Sequence, residues 1–88
     1  MSNDKCYITI DCPPGSTRPD NILLSVLNNT KLNSDNFTIT SKSFGEWVFQ
    51  LNEECNPNDY MEILPLVKQR LTTYYKEGKV RYAEWYEP

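Results

Sequence analysis

The sequence predicts an α+β fold in the order βαββαβ: a four-stranded antiparallel sheet with two helices on one of its faces. Three observations lead there. Short segments alternate apolar and polar residues with the period of two that marks a half-buried strand. Two other segments repeat apolar residues at helical spacing, and clusters of Pro, Gly, Asn and Asp separate the elements. The 88 residues suffice for one hydrophobic core and not for two, so residues 1–88 are expected to form a single domain.

The first strand is expected over Lys5 to Cys12, with Cys6, Ile8, Ile10 and Cys12 on one face and Tyr7, Thr9 and Asp11 on the other. Pro13-Pro14-Gly15-Ser16 stops it. A helix is expected from near Thr17, with Pro19 in its first turn and Asp20 favourable to its dipole. Ile22, Leu23, Val26 and Leu27 make its apolar stripe, and Asn28-Asn29 ends it. After a polar linker from Lys31 to Asp35, Phe37-Thr38-Ile39-Thr40 alternates again. The chain turns through Ser41 to Gly45 and returns as Glu46 to Leu51, with Trp47, Phe49 and Leu51 facing inward and Glu46, Val48 and Gln50 outward.

Asn56-Pro57-Asn58-Asp59 signals a second helix start, and Tyr60, Ile63, Leu64, Val67, Leu71 and Tyr74 recur at helical spacing. Pro65 either kinks this helix or opens its main part. Gly78 ends it, and Lys79 to Tyr86 forms a last strand rich in aromatics. Right-handed crossovers then place the first and third strands centrally, as in a ferredoxin-like two-layer sandwich, leaving the second and fourth as edges.

Composition narrows the functional classes. A net charge of −3 opposes non-specific nucleic-acid binding, which needs clustered positive charge, and suits a basic partner. The apolar runs are too short to span a bilayer, and the polar start Met1-Ser2-Asn3-Asp4 is unlike a secretory leader, so a cytoplasmic protein with no membrane role is expected. Cys6 and Cys12 would lie about 20 Å apart along one strand, beyond disulfide reach. With Cys55 in a polar loop, reduced thiols are the simplest expectation.

The usual catalytic parts are missing. There is no histidine, hence no Ser-His or Cys-His pair and no commonest zinc ligand. The cysteines have no C-x-x-C spacing, and three glycines build no phosphate-binding loop. No enzyme, cofactor or metal site is therefore expected. Cys12, beside Asp11 at the mouth of the first helix, is read as completing the buried row and not as a reactive thiol. Ser16 and Thr17 are read as capping their helix, ahead of cradling an anion. Glu53, Glu54, Asp59 and Glu62 form an acidic cluster that serves the helix dipole or faces a basic partner.

Two short stretches carry a family resemblance. Cys6-Tyr7-Ile8-Thr9-Ile10-Asp11 looks like the first-strand motif of the RNA-recognition motif, with Tyr7 at the base-stacking position. Lys42-Ser43-Phe44-Gly45-Glu46-Trp47-Val48-Phe49 loosely follows the third-strand motif, matching at Lys42, Phe44, Gly45 and Phe49. Ser43 replaces a glycine, and Glu46 stands where the second stacking aromatic belongs. The resemblance implies single-stranded RNA binding through Tyr7 and Phe44 on a degenerate platform.

The favoured expectation is a small acidic protein-binding module without catalysis. It would act as an inhibitor or adaptor on a cellular or host protein, of the phage or mobile-element type by analogy. Its contact residues would be Tyr7, Glu46, Val48, Glu53, Glu54, Asp59, Arg81, Tyr82, Trp85 and Tyr86, on the open sheet face, the acidic patch and the last strand. That strand, an unpaired edge, would add a strand from another chain or pair with itself in a homodimer.

Overall fold

The computed structural model describes Asn3 and residues 5–87. Its elements are β1 (Tyr7–Asp11), α1 (Pro19–Leu27), β2 (Phe37–Ser43), β3 (Glu46–Leu51), α2 (Pro57–Lys76) and β4 (Tyr82–Trp85), with one 3-10 turn at Ser34–Asn36. The four strands form one antiparallel sheet in the order β2-β3-β1-β4, which places β1 and β3 inside and β2 and β4 at the edges. The α+β class read from the sequence is borne out.

The alternation in β1 and β3 sets which face is covered. Cys6, Ile8, Ile10 and Cys12 join Trp47, Phe49 and Leu51 in one buried cluster with Ile22, Leu23, Val26 and Leu27 of α1 and Ile63, Leu64, Val67 and Leu71 of α2. Burying each such aliphatic side chain stabilises the fold by about 1.5–3 kcal/mol. Arg70 ties the helices together, its Nη1 donating to the carbonyls of Val26 and Asn28 at 3.1 and 2.6 Å at the C-terminal end of α1.

Several expectations need correction. The first helix starts at Pro19, later than Thr17, and Ser16 and Thr17 do not cap it: Arg18 is the N-cap and makes no side-chain capping bond. Proline holds the residue before it in extended backbone, so Arg18 (φ −75°, ψ 151°) cannot be helical and the hydroxyls lie too far back. Ser16 instead closes a turn, its N–H donating to the Pro13 carbonyl at 3.2 Å. Ile39, which the alternation of its strand sets on one face with Phe37 and so in the expected core, lies outside the core and is 43% exposed. The pairing of β2 with β3 slips between Ile39 and Ser41, and of the edge strand only Phe37 is buried.

The second helix runs without a break from Pro57 through Pro65. Pro65 lies on the exposed side, so the bond its missing N–H would have made belongs to the water-facing side. The last strand is shorter than expected, Tyr82–Trp85. Ahead of it, Val80 is buried in the core, as is Leu32 in the stretch read as a polar linker.

Candidate functional site: the open sheet face and the β4 edge

The face of the sheet turned away from the helices follows from the registers. Asp11 lies between Glu46 and Tyr82, and Thr9 between Val48 and Glu84. Tyr7 lies beside Gln50 on one side, and on the other its carbonyl accepts from the N–H of Tyr86 at 3.0 Å. Three tyrosines and three carboxylates thus share one face, with Thr9 buried among them.

The charges on this face are unequally matched. Arg81 reaches back over Asp11, its Nη2 at 2.9 and 3.2 Å from the two carboxylate oxygens and its Nε at 3.3 Å. Glu84 is held between two phenols: the Tyr7 hydroxyl donates to Oε1 at 3.1 Å and the Tyr82 hydroxyl to Oε2 at 2.6 Å. The hydrogen bond to Glu84 is the leading reason that both phenols ionise above their usual pH, and the charge of Glu46 adds to the effect on Tyr82. Among the described residues, neither Glu84 nor Glu46 has a cation in ion-pair range.

The structure brings together Tyr7, Glu46, Val48, Tyr82 and Tyr86 of the expected contact residues, and it reassigns the others. Trp85 points to the helix side, half-buried against the core, because it follows Glu84 by one residue on a strand. Arg81 is engaged with Asp11 through its side chain, and its N–H donates to the Asp11 carbonyl at 2.7 Å, so its amide is not part of a free edge. The acidic cluster divides. Lys31 binds Glu62 at 3.0 Å and Asp59 at 3.6 Å. Glu53 accepts from the backbone N–H of Asn3 at 2.9 Å, and with Glu54 it lines a shallow polar depression by Thr38 and Thr40. The Asn3 amide in turn donates to the carbonyls of Asn52 and Cys55, both at 2.8 Å, which fixes that loop.

The thiols Cys6 and Cys12 are buried, and all three cysteines are free. Burial, reinforced by the charges of Asp11 and Asp20, pushes the Cys12 thiol up to about 11, so it stays protonated at neutral pH. Among the described residues no group of acidic, Cys or His side chains is arranged to hold a metal ion, and no helix is long and apolar enough to cross a membrane.

Two features were not read from the sequence. Phe44, in the turn between β2 and β3, is fully exposed with a left-handed φ of 48°. It borders a recess with Cys12, Pro13 and Trp47, and Phe49 is buried in the core, so the aromatics matched to the RNA-recognition motif do not form one platform with Tyr7. Beside it Trp47 is buried, with Lys42 Nζ 4.2 Å and the Arg18 guanidinium 5.3 Å from its ring centre. At the opposite edge, an apolar groove of about 310 Å³ runs between α2 and β4, lined by Leu71, Thr72, Tyr75, Tyr82, Ala83 and Trp85. Small Ala83 leaves the recess between larger neighbours, and Tyr75 stands 60% exposed on its rim. No single segment of the sequence announces this groove, since it is made by the end of one helix meeting an edge strand.

Compared with family models, curated proteins and solved structures, the chain matches none.

Proposed function

We propose that this chain is a non-catalytic protein-binding module that offers an acidic, tyrosine-bearing sheet face to a basic surface, as an inhibitor or adaptor does. The observation that carries the reading is Glu84, fixed by the hydroxyls of Tyr7 and Tyr82 and, among the described residues, without a cation in ion-pair range, on the same sheet face as Glu46. A carboxylate already oriented by two donors loses little freedom when a lysine or arginine arrives, and tyrosines contribute contact area at low entropic cost. The strand order supports a ferredoxin-like reading of the sandwich, whose uncovered sheet face is the natural place for such a contact. Reduced buried thiols and the acidic charge suit a cytoplasmic role.

Single-stranded RNA binding is the competing outcome of the test. The full chain, immobilised, is exposed to lysate from its native host beside a Glu46→Lys/Glu84→Lys variant, and separately titrated with mixed oligonucleotides over a range of salt. The module reading expects proteins retained by the native chain and lost by the variant. Tight oligonucleotide binding with a steep negative salt slope, strengthened by the same variant, would favour RNA and overturn it.

A further inference from the structure

The free edge of β4 joins the acidic face to the apolar groove, and the two sides of that edge make different demands. The Tyr86 N–H bonds to the Tyr7 carbonyl. With the antiparallel alternation, Glu84 and Tyr82 face β1 in the same way, and the N–H and C=O groups of Ala83 and Trp85 are directed to the outer edge. No described strand pairs there. The opposite edge is guarded by its register slip and by Lys42, whereas Tyr82–Trp85 contains no proline, lysine or slip of register. On the helix side this edge opens into the groove of Leu71, Tyr75 and Trp85; on the other side stands Glu84, with Glu46 on the same face two strands further in.

We infer that β4 receives an extended segment of a partner protein in which apolar and basic residues alternate. Successive residues of an added strand point to opposite faces, so one set enters the groove while the other meets Glu84 at the border of the acidic face. Main-chain bonds to Ala83 and Trp85 supply affinity, and the alternation supplies specificity. A second copy of this chain suits the edge less well, because its own Glu84 and Glu46 would enlarge the acidic face where cations are wanting. The inference rests on the protein-binding reading and names the chemistry of the partner.

The test uses the full chain and three short capped peptides: alternating valine and lysine, alternating valine and glutamate, and the valine–lysine composition in two blocks. Binding is read from the amide signals of Ala83 and Trp85 and from Trp85 fluorescence in a Trp47→Phe background. The alternating lysine peptide should shift both amides and bind about tenfold more tightly than the other two. Tyr75→Ala should weaken it several-fold with the fold intact, and Glu84→Lys should transfer preference to the glutamate peptide. Equal binding of the block peptide, shifts confined to the open face, or a stable dimer without peptide would overturn the inference. If host proteins that need Glu46 and Glu84 bind the Tyr75→Ala and Ala83→Pro variants as well as the native chain, the face reading stands and strand addition falls. If no protein depends on those carboxylates yet the peptide pattern holds, the face reading fails alone.

Discussion

The phenol of Tyr60, wholly buried, lies 2.6 Å from the carbonyl oxygen of Tyr86. The Tyr60 hydroxyl is also 3.0 Å from the Tyr7 carbonyl oxygen, so one proton from α2 serves two acceptors at the place where β1 and β4 meet. The helix thereby fixes the end of the edge strand, and with it the Tyr7 and Tyr86 rings, whose centroids are 6.3 Å apart.

Tyr60→Phe should keep the packing and lose this bond. The Tyr7 carbonyl retains the N–H of Tyr86, but the Tyr86 carbonyl is left without its donor. A loss of about 1–2 kcal/mol is expected, or roughly 5–15 °C in Tm for a domain of this size. Calorimetry checks it, and hydrogen exchange at Glu84 and Tyr86 should rise more than in α1. An unchanged melt would show that the phenol is idle.

Two residues that look alike in the sequence should behave differently on truncation. Phe49 is buried and Ile39, its neighbour across the ladder, is not. Phe49→Ala should cost about 3–5 kcal/mol and unfold much of the population, whereas Ile39→Thr should cost less than about 1 kcal/mol. Urea titration of both variants is sufficient. Equal losses would place Ile39 in the core after all.

The β2–β3 turn contains adjacent positions of opposite tolerance. A Cβ on Gly45 would stand 2.3 Å from the carbonyl oxygen of Cys12, so Gly45→Ala must push the turn off β1 and strain the Cys12 N–H bond to the Gly45 carbonyl. A loss of about 2 kcal/mol or more is expected. Phe44→Gly should instead relieve a left-handed phenylalanine and stabilise the native state by up to about 1 kcal/mol. Denaturant midpoints for the pair should move in opposite directions.

Stability should fall at alkaline pH in a defined order. The Cys12 thiol ionises near 9 in an unfolded reference and about 11 when folded, and that of Cys6 is raised as well, in both cases chiefly by burial. Between those values the unfolded chain releases a proton that the native chain keeps, so stability is full below pH 9 and declines through pH 11. Burial likewise raises the Tyr60 phenol, which adds a loss above pH 10. Urea midpoints from pH 7 to 11 should show the decline, and Cys12→Val should reduce its first part. Added reductant should change nothing at pH 7, since all three thiols are free.

What the sequence made legible was what local periodicity controls. Alternation in β1 and β3 gave the buried and open faces residue by residue, and the helical stripes gave the rest of the core. The failures have separate physical causes. Ile39 alternates correctly and faces the helix side, but on an edge strand it is only partly covered, bordering an open recess with Leu23 and Leu24 of α1. Trp85 reads as a contact beside Tyr82 and Tyr86 on aromatic composition alone, whereas the parity of the strand turns it inward against the core. Arg81 reads as a free charge in the sequence and is neutralised by Asp11, its partner 70 residues away. The left-handed Phe44 occupies a position where glycine or asparagine would have been the readable signal.

The central place of β1 in the sheet has a bearing on how the chain comes to be folded. β1 leaves the ribosome before either of the strands that flank it, and the side facing β4 waits longest, since Tyr7 and Glu84 are 77 residues apart. The hairpin of β2 and β3 can close locally, but it cannot complete a core until β1 docks beside it. Pairings this distant must overcome loop-closure entropy before contacts reward them, which slows folding relative to a helical bundle of the same length. Until the final strand is released, the edge of β1 is open to any extended segment that passes, so a chaperone that binds apolar strands would find its target in Cys6 to Cys12.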